Sequence, residues 1–267
     1  MSALTDLRSS LRYLLAVARL NLRSGLAPPG LAALSAVMMF GNNLVFFVVW
    51  VIYFDSFSSL RGWVLQDLAL LIGFCAWAFG LTVLLAGGVR HIAQAIVDGG
   101  LDVHLGRPRH PLPSLLMSQS LSSGLGDLAS AFVFWLALGG RDFADLPLLL
   151  LLGTAAAVVL TATAVVVQCA AFWIPGAVAF SEEAFNLFLM LAFYPQHPFS
   201  LTVRVVLFTL IPTAFVSYLP VEAVRDPDPL KALAMLAAAL FYSGVALAVF
   251  RRGLRRYASG NRIVELR

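Results

Sequence analysis

Long, unbroken apolar runs recur along this chain, and they exclude most folds before any single residue is considered. The clearest lie at residues 31–53, 64–88, 115–138, 146–174 and 230–250. A helix needs about 20 mostly apolar residues to cross the hydrocarbon core of a bilayer. These runs are continuous, whereas a membrane barrel would show short segments of alternating polarity. Charged residues make up only 12% of the chain against 60% hydrophobic, about half the charged share of a soluble domain. The sequence predicts an all-α integral membrane protein.

The N-terminal segment differs in kind. Arg8, Arg12, Arg19 and Arg23 recur at spacings of four and seven and share one helical face, while Leu7, Leu11, Leu14 and Val17 share another. That pattern predicts an amphipathic helix lying in the membrane interface with its basic face toward anionic headgroups. It lacks the continuous apolar core of a secretion signal. "GLAPPG" then ends it before the first span.

Between the second and third runs the chain turns polar, glycine-rich and basic, with "IVDGGLDVHLGRPRH" inside residues 89–114. Further on, Ser181 is expected to cap a helix over 181–194 whose first turn carries Glu182 and Glu183. "YPQHP" breaks that helix, and an apolar piece at 200–219 holding Arg204 and Pro212 follows. Broken backbone at membrane depth requires cover by protein or water, so 195–222 reads as a re-entrant segment.

Charge sets the topology. With 181–194 and 230–250 as the fifth and sixth spans, one side collects Arg8, Arg12, Arg19, Arg23, Arg90, Arg107, Arg109, Arg251, Arg252, Arg255, Arg256, Arg262 and Arg267. The other side holds Arg61, Arg141, Arg204, Arg225 and Lys231, mixed with Asp55, Asp142, Asp145, Asp226 and Asp228. The positive-inside rule places the first side, with both termini, in the cytoplasm. The expected fold is six transmembrane helices with an N-terminal elbow helix and a re-entrant segment before the last helix. The net charge of +4 thus reflects topology and contact with a lipid bilayer, and calls for no nucleic acid.

This arrangement resembles the membrane subunit of an ABC-2 type ABC transporter. "LRGWVLQDLALLIGF" (60–74), "DGGLDVHLGRPRHPL" (98–112) and "YPQHPFSLTVRVVLFTLIPTAFVSYLPVEAV" (194–224) are similar to a bacterial permease family formerly classed as a domain of unknown function. Its members often read Gly-Glu-Leu-Asp after the second span; Gly100 stands here where that glutamate is common. The resemblance implies a single permease domain over residues 1–267, of exporter type, in the bacterial cytoplasmic (inner) membrane. It implies partnership with an ABC ATP-binding subunit dimer and with a second permease subunit, identical or homologous. Residues 1–28 would be the elbow and 89–114 a cytoplasmic coupling segment. Within the latter, Asp98, Leu101, Asp102, His104, Arg107 and Arg109 are the candidates for contact with the ATPase. ATP and Mg would be bound by that partner, with no cofactor on this chain.

The residues themselves place no catalysis here. Lys231 is the only lysine and follows "DPDPL", so the glycine-rich phosphate loop that needs a lysine is missing. His91, His104, His110 and His197 lack metal-ligand spacing. Cys75 and Cys169 read as buried hydrophobes. Asp127 is the sharpest residue, because an acid inside a span is costly and must face protein or water. It either serves the translocation pathway or bonds neighbouring helices through Asn42, Asn43 or Gln168; these four residues are the pathway candidates. Ser122, Gly126 and Ser130 form a small-residue stripe beside it, suited to close helix packing. Trp77, Phe79, Phe132, Phe134, Trp135, Phe185, Phe188 and Phe193 are candidates to line a path for an apolar substrate, or to pack between helices. The rival reading is a secondary transporter or channel working without ATP.

Overall fold

The computed structural model describes residues 12, 16–56, 62–106, 110–194 and 211–257. Most of the expected amphipathic stretch before residue 16, together with Arg107, Arg109, His197 and Arg204, lies outside them. The described residues form helices and turns with no β-strand. In order these are α1 (16–25), α2 (Pro29–Ser56), α3 (Leu65–Leu85), α4 (Ile92–Val97), α5 (Leu101–Leu105) and α6 (Pro111–Leu116). Then come α7 (Ser123–Phe132), α8 (Leu146–Gln168), α9 (Ala177–Ala192), α10 (Tyr218–Arg225) and α11 (Pro229–Leu254). Four stretches, α2, α3, Phe143–Phe172 around α8, and α11, are long and apolar enough to cross a membrane.

α3 is the axis of the molecule. Its 21 residues extend about 31 Å, and α2, α7, α8 and α10 pack around it. Leu68, Ala69, Leu71, Ile72, Phe74, Ala76 and Ala78 are all fully enclosed. Close approach is set by missing side chains. A Cβ at Gly73 would lie 2.6 Å from the Trp135 ring, and one at Gly80 would lie 2.8 Å from Asp127 Cβ and 2.9 Å from the Gly124 carbonyl oxygen. Four of the eight aromatic candidates, Trp77, Phe132, Phe134 and Trp135, are spent on this packing. Trp135 meets Phe74 at 5.2 Å and Trp77 at 5.3 Å, and Phe134 meets Phe47 at 5.4 Å. α7 ends in a π-helical turn, Val133–Leu138, which contributes Phe134 and Trp135 to this core.

Two helix starts differ from expectation. The third span begins at Ser123 instead of 115, because α6 and α7 are separate helices. The serines of "SQSLSSG" compete for backbone hydrogen bonds. The intervening chain is held elsewhere: Leu121 N–H donates to the Val83 carbonyl at 3.0 Å, and Asn21 Nδ2 donates to the Met117 carbonyl. The other shift is in α9, which begins at Ala177, after Gly176 turns the chain with φ +73°, a conformation open to glycine. Ser181 is therefore no cap. It sits buried inside the helix and donates to the Val167 carbonyl at 3.1 Å.

α9 stops against the middle of α3, where Cys75 Sγ donates to the Ala192 carbonyl at 3.3 Å. The described chain resumes at Ile211, makes a short turn at Thr213–Phe215, and α10 climbs back to the start of α3. There Arg225 Nε lies 3.4 Å from Asp67 Oδ1 and its guanidinium sits over Trp63, whose ring stacks on Tyr218.

The bundle thus has two unlike ends. At one, α3 and α11 begin among Asp55, Asp67, Asp142, Asp145, Glu222, Asp226 and Asp228. At the other they finish among Arg90, Arg251, Arg252, Arg255 and Arg256, and α4, α5 and α6 lie there. We call these the acidic and basic ends.

Candidate functional site

The polar segment after the second span folds into a small platform on the basic end. Gln168, at the last turn of α8, accepts a hydrogen bond from Ala93 N–H at 3.1 Å and so ties α4 to the end of α8. Ile92, Ala93, Ile96 and Leu101 form the buried underside. Gly99, at φ +78°, reverses the chain between α4 and α5. The outer surface is the unexpected part: Val97, Val103 and Leu105 are 54%, 65% and 42% exposed. The sequence candidates in this segment, Asp98, Leu101, Asp102, His104, Arg107 and Arg109, do not include these three, because an exposed apolar residue in a short helix carries no signal of its own in the sequence.

The platform candidates divide by role. Leu101 is an anchor, with no exposed surface. Asp98 is exposed and takes a hydrogen bond from Gln94. Asp102 faces Tyr257, and burial first, then the hydrogen bond and charge of that carboxylate, push the Tyr257 pKa up to about 12. His104 Nδ1 pairs with Ser114 Oγ at 3.0 Å, joining α5 to α6. His110 begins α6, and Arg251 Nε donates to its Nε2 at 3.5 Å. Burial, and secondarily Arg251, lower the His110 pKa from its usual value. No cluster of three or more metal-ligating side chains occurs among the described residues.

The pathway candidates do not form one group. Asp127 is 1% exposed, and its Oδ1 accepts from Asn43 Nδ2 at 2.8 Å. The same amide reaches Ser130 Oγ at 2.9 Å, and Ser130 donates back to the Asp127 carbonyl at 2.8 Å. Among the described residues Asp127 Oδ2 has no hydrogen-bond partner. This seam joins α2 to α7 where a Cβ at Gly126 would lie 2.0 Å from the Ala36 carbonyl oxygen. Of the three partners expected for Asp127, Asn43 is the one that binds it. Asn42 makes no hydrogen bond with Asp127; it is exposed and, together with Asn43, Phe79 and Phe193, lines a groove of about 430 Å³ between α2, α3 and α9. Gln168 belongs to the platform joint described above.

A second concavity, of about 320 Å³, lies between α3, α6, α8 and α11. Its threonines and serine gave no sequence signal, because they are scattered over three separate helices.

Residues 40–260 match the family model described as ABC-2 family transporter protein. The chain belongs to the ABC-2 transporter family. The match runs from α2 through the end of α11 and includes the platform and the seam. No curated protein and no solved structure matches the chain. As an ABC-2 protein it is a multi-pass membrane permease, and such permeases ordinarily work with an ATP-binding subunit. This agrees with the resemblance drawn from the motifs at 60–74, 98–112 and 194–224.

Proposed function

We propose that this ABC-2 permease is the membrane subunit of an ATP-driven exporter, coupled at its basic end to a separate ATPase dimer. The observation that carries the proposal is the platform. Its underside is buried by Leu101 and its neighbours, while Val97, Val103 and Leu105 stand exposed beside the carboxylates of Asp98 and Asp102. Exposed apolar side chains rimmed by charge are what a protein partner covers. Arg107 and Arg109 follow directly on this surface in the sequence.

The basic end then faces the cytoplasm, in keeping with the positive-inside rule, and both termini lie on that side of the inner membrane. In this reading α2, α3, α7, α8 and α11 make five of six crossings, and α9, which reaches only to the middle of α3, begins the other. The re-entrant segment expected at 195–222 lies outside the described residues up to position 210. ATP and Mg are held by the partner, and this chain supplies no catalytic group. Closure of the ATPases would push the platform, and Gln168 would pass that displacement to α8. The groove holding Asn42, Phe79 and Phe193 becomes part of the pathway, completed by a second permease. Asn43 and Asp127 form the polar seam behind it.

Co-purification with the ATP-binding subunit tests the proposal. Val103→Asp and Leu105→Asp alter exposed positions, so the permease should keep its melting temperature and elution volume. Recovery of the ATPase should fall about tenfold or more, the loss expected when a buried apolar contact becomes an unpaired charge. Unchanged recovery in both variants would sink the platform's role. Transport that persists with no ATPase present would favour the secondary-transporter reading.

A further inference from the structure

The concavity between α3, α6, α8 and α11 has the shape and chemistry of a site for one hydrocarbon chain. On α8 its lining runs from Thr154 to Val165, eleven helical steps or about 16 Å along the helix axis. It is a slot parallel to the helices. α3 contributes Leu81 and Leu85, α6 contributes Leu112 and Leu116, and α11 contributes Ser243 and Ala246. The volume, about 320 Å³, falls at the low end of the range for small-molecule pockets.

The hydroxyls in the slot do not make it a polar site. Thr82 donates to the Ala78 carbonyl at 2.8 Å, Thr161 to the Ala157 carbonyl at 2.8 Å, and Ser243 to the Ala239 carbonyl at 2.7 Å. Thr82 and Thr161 also touch each other, oxygen to oxygen, at 2.9 Å. The protons of Thr82 and Thr161 are thus spent on their own helices or on each other, and that of Ser243 on its own helix. Apart from Thr154, the hydroxyls of the lining are already engaged, so a ligand with several acceptor groups would find few donors there and would lose its hydration. A hydrocarbon chain loses nothing and gains contact along both walls.

Charge says which way the chain lies. The slot ends toward the basic end at Leu112, two residues after His110, on which Arg251 rests. Arg251 itself is five residues past Ala246, about 8 Å along α11, and its side chain is exposed. Arg90 lies four residues past Ala86, another lining residue. A cationic mouth over an apolar slot is complementary to an anionic headgroup over an acyl chain.

We infer that this slot binds an acyl chain of an anionic phospholipid, with the headgroup at Arg251 and the chain running along α8. This depends on the chain being a membrane protein and not on its coupling to an ATPase. The bound chain would bridge α11, which packs chiefly on α8, to α3 and α6.

The probe is phosphatidylglycerol with a photoreactive group in its acyl chain, added to the full-length protein in phosphatidylcholine nanodiscs. Adducts should concentrate on the Thr154–Val165 and Ser243–Ala246 peptides. Ala157→Leu and Ala246→Leu, which fill the slot, should reduce them about tenfold, as if two methylenes of the chain were excluded. Ala237→Leu, on the exposed face of α11, should change nothing. Adducts spread equally over the exposed faces of α2 and α11 would mean surrounding lipid only and would overturn the site. Should both filled variants fail to fold, competition on the unaltered protein decides. Unlabelled phosphatidylglycerol should compete about fivefold better than phosphatidylcholine, the preference expected of one arginine near the headgroup. Arg251→Gln should abolish that preference while leaving chain labelling intact. Equal competition by the two lipids would overturn the headgroup assignment.

Discussion

α2 and α3 are both long, uncharged at their centres and rich in leucine, phenylalanine and valine, yet they occupy opposite places. Of the apolar stretch of α3, 78% is buried inside the protein, against 11% for α2. Hydrophobicity does not separate them, because lipid and protein interior are equally apolar and helices in a membrane gain little by hiding from lipid. What separates them is where small residues stand. Gly73 and Gly80 of α3 lie against Trp135, Asp127 and the Gly124 backbone, whereas a Cβ at Gly30 or Gly41 of α2 would meet nothing within 4 Å. α2 instead packs chiefly on α7, with Gly126 of α7 against the Ala36 carbonyl and the Asn43–Asp127 pair beside it.

The sharpest way to break this contrast is to add one methyl group to each helix. Gly80→Ala should cost about 3 kcal/mol, the upper range of overpacking, since a backbone oxygen cannot move aside. Gly41→Ala should cost nothing and should gain up to about 1 kcal/mol of helix propensity. Thermal melts of both variants in the same detergent give the comparison; equal losses would mean that glycine contacts do not decide which helix is central.

The next largest effect concerns the tie of α2. Asn43→Leu leaves the Asp127 carboxyl without its side-chain donor and should destabilise by about 2 kcal/mol. Asn42→Leu, one residue earlier and facing the groove, should be close to neutral. Pairing Asn43→Leu with Asp127→Leu should cost less than the two single losses added, and strict additivity would show that the two side chains do not act together.

A smaller effect is expected where α10 meets the start of α3. Arg225 is a third exposed, so its ion pair with Asp67 is screened by solvent. Arg225→Gln should lower stability by about 1 kcal/mol, ion pair and ring contact together. Its signature is faster proteolysis or hydrogen exchange in 218–225, with α3 itself unchanged.

The smallest prediction is a pH effect at the basic end. The folded His110 has a lowered pKa, so the unfolded chain takes up a proton more readily there. Its contribution to stability is full above the unfolded value, about 6.5, and is lost as pH falls through the folded value. Melting curves between about pH 7 and about pH 5 should show a slight acid-side loss that His110→Gln removes. A His110→Gln variant with the same slope as the unaltered protein would count against this account.

Much of the frame was readable before any coordinates. The bounds of α2, α8 and α11 follow from the apolar runs and their flanking Pro, Asp and Arg residues. The expected starts of α7 and α9 differ from the observed ones for different reasons: Leu121 is held by Val83, 38 residues away, whereas α9 starts earlier because Gly176 turns the chain and leaves Ser181 inside the helix, bonded to Val167. The site was legible in outline. The segment 89–114 stood out by its polarity, and Asp127 by its depth. Of the alternative partners for Asp127, Asn43 bonds it, Asn42 lines the groove beside Asn43, and Gln168 holds the Ala93 N–H. Sequence spacing places Asn42 and Asn43 on diverging faces of one helix, and no spacing says what Gln168 meets on another.

The sequence by itself determined that this is a helical membrane permease with one basic and one acidic end. Those properties follow from run length, charge and local motif, which need no partner residue to be evaluated. Tertiary packing settles which apolar helix lies at the centre, that Asn43 is the partner of Asp127, and that hydroxyls from three helices line one slot. These outcomes depend on which backbones can approach within van der Waals distance, and in a chain this uniformly apolar that choice is made by a few glycines acting on residues far away in sequence.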